Sequence, residues 1–142
     1  MDVNKYKSGS HTKHRLLFHL VFRPKYRRRV LRYDVEKRLR ELFKECCTLN
    51  DWGIHELNIC PDHVHILIQI NPLDSLSKVM QILKGGSSRV IRKEFPELRE
   101  FLWGDSLWGD GYFAESFGKF SETAIRNYIR KQNKQAKRDH GL

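Results

Sequence analysis

The segment "IHELNICPDHVHILIQI" (Ile54–Ile70) carries two strand-like runs joined at Pro61 and Asp62, both turn-forming residues. It reads as a β-hairpin. Side chains alternate along a strand, so His63, His65, Leu67 and Gln69 share one face of the second run. Val64, Ile66, Ile68 and Ile70 share the other, an aliphatic row suited to a core. Two imidazoles therefore stand side by side opposite the core-facing row. That placement suits a metal ion and suits a dry interior poorly. The His-x-His spacing alone leaves a ligand pair and ordinary strand histidines equally open.

On the N-terminal side, "HRLLFHLVFRPKYR" (His14–Arg27) begins as an apolar, aromatic strand and ends in basic residues. From Asp34, an expected N-cap, Val35, Leu39, Leu42, Phe43, Cys46 and Leu49 recur at helical spacing. "NDWG" ends that helix, with Gly53 as the expected punctuation. On the C-terminal side, Asp74 or Ser75 caps a second helix whose stripe is Leu76, Val79, Met80, Leu83 and Val90. Gly85, Gly86, Ser87 and Ser88 interrupt this stripe. Such small residues suit either a phosphate contact or a helix that breaks or crosses close to a neighbour. A Gly- and aromatic-rich loop leads to a last strand, 111–117, and Ser121 caps a final helix through Ala136.

The order β-α-β-β-α-β-α predicts an α+β, ferredoxin-like (split βαβ) antiparallel sheet in a single domain, 1–142. The first two helices would cover one face. The other would be left for a ligand, with the last helix outside the basic unit.

Charge narrows the partner. Lys and Arg number 27 against 17 Asp and Glu, a formal net charge of +10. Six basic residues fall within the ten of "RPKYRRRVLR" (Arg23–Arg32), beside Tyr26 and Tyr33. Further clusters span Lys84–Lys93 and Arg130–Arg138. Basic residues interleaved with aromatics suit a phosphate backbone and stacked bases. No apolar run is long enough for a membrane span, and the N-terminus lacks the apolar core of a secretory signal. Cys46, Cys47 and Cys60 form no CxxC, so reduced thiols in the cytoplasm are expected. A zinc site built from Cys60, His63 and His65, with His11 or His14, matches no common structural spacing.

In "SETAIRNYIRKQNKQAKR" (Ser121–Arg138), Tyr128 and Gln132 are four apart and share one helix face. A tyrosine phenol is a capable nucleophile, and a glutamine amide oxygen can join two imidazoles around a divalent ion. A lone helical tyrosine more often packs than reacts. Combined on a basic domain, these residues point to metal-assisted attack on a nucleic-acid phosphate.

These residues also carry a resemblance. "HTKHRLLFHLVFRPKYRRRVL", "PDHVHILI", "LKGGSSRVIRKEFP", "LWGDGYFAESFG" and "IRNYIRKQ" occur in the order found in single-tyrosine HUH transposases, the TnpA type of small bacterial and archaeal insertion sequences. The resemblance implies a homodimer acting on single-stranded DNA, at element ends that contain hairpins. It assigns Tyr128 as the nucleophile that forms a 5′-phosphotyrosine. It assigns His63, His65 and Gln132 as ligands of Mg2+ or Mn2+. Arg23, Lys25, Arg27, Arg28, Arg29, Lys84, Ser87, Arg89 and Arg92 would hold the DNA. The chain departs from the family pattern at Asn58, where an acidic residue is common, and at Asp110, where a basic one is. Two rivals remain: a domesticated relative that processes palindromic repeats, and a non-catalytic ferredoxin-like module binding single-stranded nucleic acid.

Overall fold

The computed structural model describes residues 16–102, 104, 106–117, 127, 130, 131 and 134. Strand β1 (Leu16–Phe22) leads through a short 3-10 turn at Lys25–Arg27 into helix α1 (Tyr33–Leu49). The hairpin follows as β2 (Gly53–Cys60) and β3 (His63–Ile70), then helix α2 (Leu76–Glu94), a 3-10 turn at Pro96–Glu100 and β4 (Phe113–Phe117). The four strands pair antiparallel in the order β2-β3-β1-β4. This is the expected ferredoxin-like sheet.

One sheet face and both helices enclose the main core. Leu20, Phe22, Val64, Ile66, Ile68 and Ile70 come from the strands; Leu39, Phe43, Val79, Met80 and Leu83 come from the helices. Phe22, Phe43 and Trp108 meet in the centre, with Phe22 edge-on to both of the others. Of the predicted helical stripes, Val35, Leu39 and Phe43 of α1 and Val79, Met80 and Leu83 of α2 are buried, with Cys47 and Ile91 added; Leu42, Cys46, Leu76 and Val90 are half-buried at the margin, and Leu49, at the end of α1, is 85% exposed.

Local signals were partly displaced. Ser75 caps α2, its hydroxyl accepting from the Lys78 amide at 3.1 Å. Asp74 instead accepts from the Trp52 indole at 2.8 Å. Asp34 lies in the first turn of α1, and the N-cap position is Arg32, without a side-chain cap. Gly53 does not end α1. Asn50 closes the helix by donating from its amide to the Cys46 carbonyl, and Asp51 takes the left-handed position at φ 60°. Gly53 is then left to start β2 in extended conformation.

The run Gly85–Ser88 does not break α2, which continues to Glu94. Ser87 and Ser88 are buried, and both serve the loop before β4. The Trp108 indole donates to Ser87 Oγ at 2.9 Å, and the Leu107 amide donates to Ser88 Oγ at 2.8 Å. Ser87 itself donates back to the Leu83 carbonyl at 2.6 Å. Small residues here admit a loop, which is the close-crossing reading. None of Cys46, Cys47 and Cys60 forms a disulfide; burial pushes the Cys47 thiol up to about 12. Among the described residues no helix is long and apolar enough to cross a membrane.

Candidate active site

The strand register assembles the second sheet face. Val21 pairs with His65 and His19 with Leu67 across β1 and β3; Glu115 pairs with His19 across β1 and β4; Asn58 pairs with His65 across β2 and β3. Paired residues of antiparallel strands project to the same side. Three histidines therefore gather at one end of this face. The rings of His63 and His65 stand edge to face with centroids 4.7 Å apart, and His19 stacks on His65 at 5.2 Å.

Each ring of the predicted pair is held by its Nδ1. His63 Nδ1 lies 2.7 Å from Asp62 Oδ1, and His65 Nδ1 lies 3.0 Å from His19 Nε2. Among the described residues no hydrogen bond reaches Nε2 of either ring. Anchored Nδ1 atoms with Nε2 left over are what imidazole ligands of a metal ion require. The pair thus fits a divalent ion. Burial, then the neighbouring His63, His19 and Arg23, pushes the His65 pKa down to about 3, so this ring is neutral at pH 7. Burial also lowers that of His19, against the pull of Glu115. His63 and Arg23, beside Asp62, hold its carboxyl below the usual range despite burial.

Tyr128 and Gln132 lie outside the described residues. So does the third ligand position, and among the described residues no group of three His, Cys, Asp or Glu side chains forms a metal cage. The final helix is represented by Asn127, Arg130, Lys131 and Lys134, all helical. Arg130 reaches across to Glu56 on β2 at 3.3 Å.

The histidine face is less open than its sequence implied. Leu17, His19, Leu67 and Gln69 are buried, at 3%, 1%, 0% and 0% exposure. The reason is compositional: Leu17, Leu67 and Phe117 form a second apolar cluster in the middle of this face. Gln69 is fixed within it, accepting from His55 Nε2 at 2.8 Å. His63 is itself 5% exposed.

The basic arm Arg23–Arg32 is built as a braced loop. Tyr26, Arg27 and Tyr33 all sit at positive φ, between 54° and 58°, a conformation costing about 1–3 kcal/mol each in residues other than glycine. Backbone hydrogen bonds sustain it: Lys25 to Leu107, Arg27 to Pro24, Gly109 to Arg23, and Leu31 to Pro61. The last ties the arm to the hairpin turn that carries Asp62. Arg23, Arg27, Arg28 and Arg29 are exposed, as are Tyr26 and Tyr33. A groove of about 550 Å³ runs along the arm between Tyr26, Arg29, Tyr33 and Phe101.

The α2 residues expected to contact DNA divide. Arg89 is exposed and Arg92 half-buried. Ser87 is 4% exposed with its hydroxyl spent on Leu83 and Trp108, so it faces the interior and not a surface DNA could reach. Lys84 is a loop clamp: its ammonium donates to the carbonyls of Gly109 and Gly111 at 2.8 and 3.0 Å, and burial lowers its pKa. The sequence signal of both was charge and small size, which does not distinguish a surface from a seam. His19 was not singled out from sequence, since its partner is 46 residues away.

The family profile described as "Transposase IS200 like" matches residues 12–132. The chain belongs to this transposase family. It is 30% identical over 127 residues to the ISDra2 transposase TnpA of Deinococcus radiodurans, covering 89% of this chain and 91% of that one. To the transposase for insertion sequence element IS200 of Salmonella typhimurium it is 32% identical over 126 residues, covering 89% and 82%. A crystal structure of a transposase from Deinococcus radiodurans superimposes with a TM-score of 0.72 at 30% identity, covering 88% of this chain and 96% of that one. A REP-associated tyrosine transposase, solved bound to a REP hairpin, shares the fold at a TM-score of 0.57 and 12% identity, covering 80% and 61%. The IS200-like transposase fold is thus the βαββαβ sheet described above.

Proposed function

We propose that this IS200-like transposase cleaves and rejoins single-stranded DNA at hairpin-bearing element ends through a covalent 5′-phosphotyrosine. The observation that carries the reading is the pair His63 and His65, each anchored through Nδ1 with Nε2 left over. Gln132, on the helix of Tyr128, would complete their ligand set. Nitrogen donors favour Mn2+ over the harder Mg2+. When bound, such an ion supplies Lewis-acid polarisation of a phosphate oxygen.

Tyr128 would attack phosphorus, joining its phenolic oxygen to the 5′ phosphate and releasing a 3′ hydroxyl. A phenol has a pKa near 10, so roughly one in a thousand is ionised at neutral pH. Attack therefore needs a route for the phenolic proton. A 3′ hydroxyl attacking the phosphotyrosine reverses the chemistry and regenerates the phenol, with no nucleotide cofactor. The exposed Arg23, Arg27, Arg28 and Arg29, with Lys25 and Arg89, would hold the DNA backbone beside the hairpin turn. The resemblance extends the reading to a homodimer whose tyrosine helices complete the sites.

The test is a hairpin-bearing DNA strand incubated with protein and Mn2+. Tyr128→Phe abolishes the covalent protein–DNA adduct and leaves binding within about two- to threefold; an undiminished adduct removes Tyr128 as nucleophile. Binding also weakens steeply with salt, and Arg28→Gln lowers the log–log slope by roughly one. An unchanged slope takes Arg28 off the phosphate path.

A further inference from the structure

The proposed site uses two histidines, yet three are packed there. His19 lies on β1, is 1% exposed, and stacks on His65 with rings 14° from parallel. Its Nε2 is 3.0 Å from His65 Nδ1. Two neutral imidazoles so placed share one proton between those nitrogens, and its location sets which nitrogen of His65 is bare. If His65 Nδ1 carries it, Nε2 of His65 is a lone pair; if His19 Nε2 carries it, His65 Nε2 is an N–H and cannot bind a cation.

The surroundings favour one arrangement. β1 lies between β3 and β4, so His19 has His65 on one side and its register partner Glu115 on the other. Glu115 acts on His19 through its charge, against the effect of burial, and a proton held on the Glu115 side of the ring leaves Nε2 as the acceptor. Asp62 does the same directly for His63.

We propose that His19 is a positioning residue: its Nε2 accepts a hydrogen bond from His65 Nδ1, locking His65 in the tautomer whose Nε2 is free for a divalent ion. The role in ion binding rests on the metal reading above; the tautomer does not. His19 touches no substrate and acts only through His65.

The experiment is 15N NMR of the histidine side chains in the full chain, metal-free at neutral pH, paired with Mn2+ titration. In the wild type, His65 gives the protonated signature at Nδ1 and the unprotonated one at Nε2. In His19→Leu the signature moves to Nε2–H, the form a free imidazole prefers, and Mn2+ affinity falls about 10–100-fold, as when other outer partners of metal ligands are removed. In His19→Gln the amide oxygen still accepts from Nδ1, so tautomer and affinity return to within a few-fold of wild type. An Nε2–H His65 in the wild type overturns the proposal with no variant needed. So does a folded His19→Leu protein that keeps Nδ1–H. Should His19→Leu not fold, the wild-type His65 tautomer and His19→Gln carry the test: an Nε2–H His65 in a folded His19→Gln protein overturns the proposal. Mn2+ affinity unchanged by His63→Ala with His65→Ala removes the metal reading, while the tautomer result stands on its own.

Discussion

The two faces of the sheet are buried to nearly the same degree and held by different forces. On the helix face, Val64, Ile66, Ile68 and Ile70 lie against Leu39, Phe43 and Leu83 with no polar atom to satisfy. On the other, His19, His63 and Gln69 are equally inaccessible but sit in hydrogen bonds. Dispersion and water exclusion stabilise the first face and depend on volume. The second depends on protonation and on partners, so it contributes less to stability and responds to solution conditions.

The largest expected effect breaks the helix face. Phe43 is 1% exposed and packs against Phe22 and Trp108. Phe43→Ala costs about 3–5 kcal/mol in urea unfolding, a sizeable part of a typical domain's total. A loss under about 1 kcal/mol would mean that this face does not carry the fold.

Acid tests the histidine face. The folded pKa of His65 is depressed to about 3, and burial lowers that of His19, while both titrate near 6.5 once unfolded. The unfolded chain then binds more protons below pH 6.5, so stability is full above that pH and is lost as pH falls towards the folded values. In chelator-treated protein the slope reaches about 1.4 kcal/mol per pH unit for His65, and His19 adds in the same direction. His65→Leu flattens it, whereas Phe43→Ala lowers stability at every pH without changing it. A wild-type curve flat from pH 6.5 to 4 would contradict the buried, neutral pair.

The smallest effect sharpens the contrast. Gln69 is fully buried, its oxygen accepting from His55 while its amide nitrogen finds no partner among the described residues. Gln69→Leu removes an unsatisfied donor together with one useful acceptor, and the two offset, so the unfolding free energy changes by less than about 1 kcal/mol. A loss of several kcal/mol would show that Gln69 is an essential polar support.

The helix face was legible in the sequence because its forces are local in pattern. Period-2 and period-3.6 stripes, the Ser75 cap and the Pro61–Asp62 turn each predict their own neighbourhood. The histidine face was legible only in part. His63 and His65 are adjacent on one strand, so alternation alone pairs them. His19 belongs with them only once the register of β1 on β3 is set, and a lone histidine in an aromatic strand gives no sign of it. Ser87 and Lys84 also hold the loop before β4, which their sequence did not show: small and cationic residues serve a seam as well as a surface, and Trp108, which fills the seam, is some twenty positions on. The left-handed turn at Asp51 displaced Gly53 because Asn50 could close the helix with its own side chain.

The amide of Leu31 donates to the carbonyl of Pro61, one residue before Asp62. The arm and the turn are therefore a single mechanical part, although thirty residues separate them in the chain. A chimera that exchanges the arm between relatives inherits the hairpin turn as its fulcrum. The exchange succeeds only when both pieces travel together, since an arm of another length would tilt the very residue that orients His63.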